Sequence, residues 1–194
     1  MRVATKKEMA ILSFPTSKGF ESWMEKNHAT APGLWLQIAK KDSGLTSISY
    51  AEALDVALCY GWIDGQKKSK DAKSYLQKFT PRRPKSLWSK VNREHVERLT
   101  RAKKMKPSGM AQVEAAKKDG RWERAYDSSR TTLVPEDFIL RLKKDKKAYE
   151  FFKTLTRANV YSITWRLQTA KKPETREKRV KAILQMLKEG KAFH

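Results

Sequence analysis

The spacing of apolar residues changes its period near residue 86, and this change restricts the folds open to the chain. Before it, apolar runs of strand length such as Leu34–Ala39 alternate with helical patterns. After it, apolar residues recur every three or four positions, starting with Trp88 and Val91. Strands place side chains on alternate faces, whereas a helix returns to one face after three or four residues. The sequence therefore predicts a sheet followed by a set of helices.

The first half of the chain predicts the element order βαβαββ. Strand patterns cover four segments: 9–14, 34–39, 62–67 and 74–80. Between the second and third strands, Ser49 and Glu52 have the spacing of a capping box, in which each side chain accepts a hydrogen bond from the other residue's backbone amide. A helix is expected to begin there and to end at Gly61, because glycine readily adopts the left-handed conformation that closes helices.

Proline and glycine mark helix ends in the second half. Pro107, Pro135 and Pro173 each open a predicted helix, because proline fits the first helical turn, and Gly190 closes the last one. The predicted fold class is α+β: a small N-terminal βαβαββ-type sheet with helices, followed by an all-helical C-terminal half packed against it. We expect an α+β lobe over residues 1–85 and a helical lobe over residues 86–194, in one compact unit.

The chain is strongly basic. It has 43 Lys and Arg against 21 Asp and Glu, a formal charge of +22, which favours nucleic acid, an anionic membrane or another acidic partner. A hydrophobic content of 39% with six Trp residues predicts a folded core. No stretch approaches the roughly 20 apolar residues of a membrane span, and no export segment is recognised. The cytoplasm is therefore the expected location.

The segment from Tyr60 to Trp88 joins positive charge to aromatic rings. Eight Lys and Arg residues stand there with aromatic residues, Trp62 among them, in their midst. Cations beside flat rings suit a polyanionic or phosphorylated partner. The alternative is a two-stranded ribbon whose aromatics face a core and whose lysines face water.

Two short motifs in this segment have the most constrained backbones. Pro81 and Pro84 hold two arginines extended before a predicted helix start at Ser86, where the free amides of a helix N-terminus favour an anion. Asp64, flanked by glycines, either orients a ligand hydroxyl or satisfies strand-end amides, and one arginine is an alternative partner for it. The candidate anion-binding residues are Trp62, Asp64, Arg82, Arg83, Lys85 and Trp88.

A secondary basic patch precedes and enters the last helix. Its candidate residues are Lys171, Lys172 and Arg176. The alternative is a solvated helix face on which acids and bases four residues apart form pairs, such as Glu174 with Lys178.

Signatures of catalysis are absent from the sequence. It lacks the phosphate-binding loop, the dinucleotide fingerprint, the zinc-protease helix motif and the serine-hydrolase elbow. The single cysteine, Cys59, is expected to be a buried thiol, and His95 a satisfied helix residue rather than a general base. We therefore assign no catalytic residue, no metal ligand and no cofactor.

Five long blocks carry a resemblance to a known family. They read SWMEKNHATAPGLWLQIAKK, YAEALDVALCYGWIDGQKK, FTPRRPKSLWSKVNREHVERL, RWERAY and RLQTAKKPETREKR. Together they resemble the bacterial YdeI/OmpD-associated family, also called bacteriocin-protection proteins, in the family's order and over nearly the whole chain. The resemblance implies a link to bacteriocin or envelope-stress protection, and it brings no family catalytic residues to these positions.

Three functional hypotheses follow. The first is a non-enzymatic cytoplasmic protein of the bacteriocin-protection type that binds an anionic partner, with nucleic acid as the leading candidate, through its basic and aromatic surface. The second is a small-ligand-binding protein or enzyme with a pocket around Asp64, Arg82 and Arg83. The third is a protein-interaction module, which an exposed apolar stripe on the last helix would favour. No oligomeric state is predicted.

Overall fold

The first half of the protein contains a sheet and two helices in the predicted order. A computed structural model describes residues 9–193. Its elements up to residue 81 are β1 (Ala10–Leu12), α1 (Ser17–Asn27), β2 (Leu34–Ala39), α2 (Tyr50–Cys59), β3 (Trp62–Ser69) and β4 (Ser74–Pro81). The βαβαββ order is thereby confirmed.

The second half is mostly helical, as predicted. Its helices are α3 (Lys90–Arg101), α4 (Pro107–Lys118), α5 (Glu136–Leu142), α6 (Lys146–Lys153), α7 (Arg157–Gln168) and α8 (Pro173–Lys188). The α+β class is confirmed. None of the helices within residues 9–193 combines the length and the apolar character needed to cross a bilayer.

The sheet has the strand order β1-β2-β4-β3, with β1 parallel to β2 and the other pairs antiparallel. Alternate residues of β2 are fully or almost fully buried: Leu34, Leu36 and Ile38. On the same face, Phe79 of β4 contacts Phe20 of α1, with ring centroids 6.0 Å apart. Apolar burial on this face therefore attaches the first helix to the sheet.

The ends of α2 follow from local sequence. The Ser49 hydroxyl accepts a hydrogen bond from the Glu52 amide at 3.3 Å, and the Glu52 carboxylate accepts one from the Ser49 amide at 3.0 Å. The predicted capping box is confirmed. After the helix, Gly61 adopts a φ of 78°, and a Cβ at this position would lie 2.9 Å from the Ser108 carbonyl oxygen. Glycine is therefore required by both conformation and space.

The chain forms two compact units. The first, here called the sheet unit, contains residues up to 87 together with residues 92–123. The second, the helical unit, contains residues 88–91 and the chain from Arg124 onward. Its core is built by α5 to α8 from Phe138, Leu142, Ala148, Ile163, Leu167, Val180, Ile183 and Leu187. The apolar stripe of α8 is thus buried.

Candidate polyanion-binding face of the sheet

Trp62 belongs to the core of the sheet unit. It is 1% exposed, and its indole N–H donates a hydrogen bond to the His28 carbonyl at 3.0 Å. The Trp23 ring meets it edge-on, with centroids 5.9 Å apart. Trp88 is also buried, at 2% exposure, and lies in the helical unit. Neither indole presents an open face on which a ligand ring stacks.

Asp64 and Arg82 both make contacts within the protein. The Asp64 carboxylate accepts a hydrogen bond from the Tyr50 hydroxyl at 2.8 Å. Arg82 is 6% exposed, and its Nη1 donates to the Leu87 carbonyl at 3.1 Å while its backbone amide donates to Gly61. These contacts hold the chain that leaves β4 in place.

The predicted role of Ser86 as a helix N-cap is wrong. Helix α3 begins at Lys90, and the Ser86 hydroxyl instead accepts a hydrogen bond from the Arg83 amide at 2.9 Å. Serine offers the backbone a local turn as readily as a helix cap, and here the turn is formed. Arg83 and Lys85 are exposed on this turn, so they do not flank the end of a helix.

The secondary basic patch is only partly available. Lys171 and Lys172 are exposed before α8. Arg176 forms two bonds to Asp137, of 2.6 and 2.8 Å, and these bonds hold the pKa of Asp137 below its usual value. The charge of Arg176 is therefore compensated by Asp137 within the protein.

The sheet face opposite the Phe20 contact has a different character. Between β2 and β4, Trp35 pairs with Lys78 and Gln37 pairs with Leu76. On the other side of β4, Leu76 also pairs with Lys68 of β3. Opposed residues of antiparallel strands share a face, so these five side chains lie on one side of the sheet. We call this surface the Trp35 face.

Three lysines lie over aromatic rings at this end of the sheet. The Lys68 ammonium is 4.2 Å and the Lys78 ammonium 5.7 Å from the Trp35 ring centroid. The Lys67 ammonium is 4.0 Å from the Tyr75 ring centroid, on the other face of the sheet, since Tyr75 pairs with the buried Ile38. Within residues 9–193, none of these three lysines forms an ion pair with an acidic side chain. The aromatic rings therefore position the ammonium groups without neutralising them, and an anion can bind to their positive charge.

A bulge in β3 places these lysines. The register shifts between Asp64 and Lys67, and the Gln77 side chain, which is 4% exposed, donates to the freed Gly65 carbonyl at 2.9 Å. The turn into β4 is fixed by Asp71, whose carboxylate accepts hydrogen bonds from the Ser74 hydroxyl and amide. These bonds lower the pKa of Asp71. The hydrogen bonds of Gln77 and Asp71 thus fix the backbone that positions the lysines of β3.

A shallow concavity adjoins Tyr75. It has a volume of about 510 Å³ and is lined by Ala39, Lys40, Lys41, Lys67, Ser69 and Tyr75. The Lys40 ammonium donates to the Asp71 carbonyl at 2.7 Å, and burial raises the pKa of Tyr75. The basic and aromatic surface therefore continues from the Trp35 face around the end of the hairpin.

Sequence reasoning did not assign Trp35 to a site. The signal is present in β2, where the buried residues alternate with Trp35 and Gln37, so the ring had to lie on the opposite face. The identity of its neighbours depends on the register with β4 and on the bulge in β3. Period alone specifies neither of these.

Two protein families match the chain. Residues 12–112, which include the whole Trp35 face, match a family described as a domain of unknown function (DUF8412). Residues 131–190 match the family described as bacteriocin-protection, YdeI or OmpD-associated. The first match covers more than half of the 194 residues, so the chain belongs to that family. The predicted resemblance to the YdeI/OmpD-associated family is thus confirmed over residues 131–190, a segment that contains α5 to α8. No curated protein and no solved structure matches the chain at a significant level.

Proposed function

We propose that this protein is a non-enzymatic cytoplasmic protein of the bacteriocin-protection type that binds a polyanion, single-stranded nucleic acid first, through the Trp35 face. The observation that carries the proposal is the position of Lys68 and Lys78 over the Trp35 ring, at 4.2 and 5.7 Å, with Lys67 4.0 Å from the Tyr75 ring on the other face of the same hairpin. The formal charge of +22 supports it, because such a charge draws anionic polymers toward the protein.

Nucleic acid combines the two chemistries that this surface offers. Its phosphates meet the lysine ammonium groups, and its unpaired bases have flat faces that stack on aromatic side chains. Polyphosphate and sulfated sugars have the negative charge of nucleic acid but lack flat bases that stack on aromatic rings. Trp35 and Tyr75 are partly exposed, so a base can reach a ring when the lysine above it moves to a phosphate.

The first experiment tests the lysines. A variant with Lys67, Lys68 and Lys78 replaced by Ala is compared with one in which the exposed Lys143, Lys144 and Lys147 of the helical unit are replaced by Ala. Both variants lower the formal charge from +22 to +19. Fluorescence anisotropy with a labelled single-stranded oligonucleotide, at two salt concentrations, measures the binding.

The sheet variant is expected to lose about tenfold or more in affinity at low salt. Its plot of log K against log salt is expected to flatten by about 0.7 for each phosphate that the protein no longer neutralises. The helical variant should stay close to the wild type. Equal losses in the two variants would mean that total charge, and not this face, governs binding, and the proposal would then be wrong.

The second experiment separates nucleic acid from other polyanions. Trp35→Leu keeps the charge and removes the stacking surface. Because a base stacked on an aromatic side chain contributes about 1–3 kcal/mol, the variant should bind the oligonucleotide about five- to hundredfold more weakly and polyphosphate unchanged. An equal loss for both ligands would assign the ring a role in holding the lysines, and the nucleic-acid part of the proposal would fall.

Two observations weigh against the alternative functions. The guanidinium of Arg82 is engaged by the Leu87 carbonyl, and Asp64 by Tyr50, so a ligand pocket around these side chains would have to compete with contacts already made. The α8 stripe that would favour a protein-interaction module is buried at Val180, Ile183 and Leu187.

A further inference from the structure

A second cavity lies within the sheet unit and shares no lining residue with the Trp35 face. Its volume is about 410 Å³, and ligand pockets usually fall between about 300 and 1,000 Å³. Its walls come from α1, α2, the end of α3 and the segment that joins α3 to α4. The inner wall contains Val56, Cys59, Tyr60 and Leu99, and the exposed rim carries Lys103 and Lys104.

Three acids line this cavity, and two of them have cationic partners, whereas the Glu52 carboxylate accepts hydrogen bonds from Ser49. The Glu21 carboxylate is 3.1 Å from the Lys106 ammonium. The Asp55 carboxylate is 2.6 Å from Arg98 and 2.7 Å from the His95 ring. Such charge-assisted contacts compensate the charges of Glu21 and Asp55, and Glu52 keeps a negative charge at the cavity wall.

Lys103 and Lys104 remain without an acidic partner among residues 9–193. Their backbone is fixed by the end of α3, where the Lys103 amide donates to the Thr100 carbonyl and the Lys104 amide to the Leu99 carbonyl. This pair of bonds closes a helix, with Lys103 in the left-handed conformation at a φ of 55°. The two ammonium groups are the positive charges left for a ligand.

The inner wall also holds a hydroxyl group whose proton has no acceptor. Tyr60 is 5% exposed, and within residues 9–193 no acceptor meets its hydroxyl proton, since the nearby Lys106 ammonium can only donate. Burial raises the pKa of Tyr60, with Lys106 opposing the rise, so the hydroxyl keeps its proton at neutral pH. A buried polar group without a partner costs free energy, and an acceptor oxygen on a ligand would relieve that cost.

The other residues of the inner wall carry no charge at neutral pH. Burial raises the pKa of Cys59 to about 11, so its thiol is protonated at neutral pH and is not an activated nucleophile. Val56 and Leu99 are apolar. The cavity therefore combines an uncharged inner wall with the unpaired ammonium groups of Lys103 and Lys104 at its mouth, which suits a molecule with an apolar body and an anionic head.

We propose that this cavity binds a small organic anion, with its carboxylate or phosphate at Lys103 and Lys104, its apolar body between Val56 and Leu99, and an oxygen in reach of Tyr60. The site is independent of the polyanion function. Its occupant is a monomeric metabolite-sized molecule rather than a polymer, because a volume of about 410 Å³ lies near the lower end of the range for small-molecule pockets.

The first test uses three probes of similar size on the full chain: hexanoate, phenyl phosphate and hexanamide, measured by isothermal titration calorimetry. Binding of hexanoate alone assigns the carboxylate class, and binding of phenyl phosphate alone assigns the phosphate class. Hexanamide is expected to bind about tenfold or more weakly than either anion that binds, because it lacks the charge. Equal binding of hexanamide, or no binding of any probe at about 10 mM, overturns the proposal.

The second test uses matched variants. Lys103→Ala with Lys104→Ala should weaken binding of the anion about tenfold, whereas Lys143→Ala with Lys144→Ala, which removes the same charge elsewhere, should leave it unchanged. Tyr60→Phe keeps the shape of the wall and should weaken binding about two- to tenfold.

Equal affinities in the two double variants would place the anion elsewhere and overturn the site, and an unchanged Tyr60→Phe variant would remove the hydroxyl from it. The triple variant of Lys67, Lys68 and Lys78 should bind the small anion normally. Failure of this proposal and failure of the polyanion proposal are thereby distinguished.

Discussion

The sheet unit and the helical unit use positive charge in different ways. In the helical unit, basic side chains of α5 and α8 reach acids: Arg141 pairs with Glu177 at 2.6 Å, and Arg176 with Asp137. On the Trp35 face of the sheet unit, Lys68 and Lys78 lie over the Trp35 ring without such partners. The comparison teaches that a basic composition does not by itself locate a binding surface. The features that mark one here are cations without an acidic partner and a partly exposed ring beside them.

The first prediction concerns what holds the helical unit together. If its apolar core rather than its ion pairs dominates stability, Phe138→Ala should lower the free energy of unfolding by about 3–5 kcal/mol, because Phe138 is 0% exposed and its removal leaves a cavity. Urea denaturation followed by circular dichroism measures the change.

The matched control for this prediction lies on the same helix. Leu140 is 57% exposed on α5, so Leu140→Ala should change stability by no more than about 0.5 kcal/mol. If the Phe138→Ala variant is as stable as the Leu140→Ala variant, the apolar core does not dominate the stability of the helical unit.

The second prediction concerns close packing in the sheet unit. Gly109 of α4 leaves no room for a side chain, since a Cβ there would lie 2.2 Å from the Cys59 carbonyl oxygen. Gly109→Ala should therefore cost about 1–3 kcal/mol through displacement of α4 from α2. In Gly19→Ala on α1, the new methyl group would meet neighbours no closer than 3.7 Å, and the variant should be neutral or up to about 1 kcal/mol more stable. Thermal unfolding of the pair gives the difference, and equal midpoints would contradict the packing argument.

The elements of the fold were predictable because their signals are local. The reciprocal bonds of Ser49 and Glu52, the positive φ of Gly61 and the proline at the start of α8 each act within a few residues. The surroundings of Trp35 were not predictable, because they arise from strand register and from a bulge held by Gln77. Ser86 shows the opposite difficulty. Its local signal fits both a helix cap and a turn, and only the wider structure selects the turn.

The third prediction tests an exception within the sheet unit, the pairing of Asp55 with Arg98 and His95. Burial raises the pKa of Asp55, but the hydrogen bonds from Arg98 and His95 outweigh burial and hold the pKa below its usual value. Its stabilisation is therefore present above the unfolded-state pKa, near 3.9, and is lost as the pH falls through the lower folded-state value.

Asp55→Asn should accordingly cost about 1 kcal/mol at pH 7, a modest value because the side chain is 26% exposed. The gap to the wild type should close as the pH falls below about 3.9. Urea titrations at pH 7 and in acid measure it, with Glu94→Gln on the exposed side of α3 as a control that should change little. A gap that persists in acid would mean that packing, not charge, supplies the effect.

The smallest expected effect belongs to Arg176, and it is the sharpest test of the difference between paired and unpaired cations. Its guanidinium is 32% exposed and its partner Asp137 is 56% exposed, so Arg176→Gln should reduce stability by less than about 1 kcal/mol. Its effect on oligonucleotide binding should be below about twofold, because the charge it removes is already compensated by Asp137. Lys68→Gln removes the same formal charge from the Trp35 face and should weaken binding further. If the two single variants weaken binding equally in parallel anisotropy titrations, the pairing state does not decide which cations of this chain meet an anion.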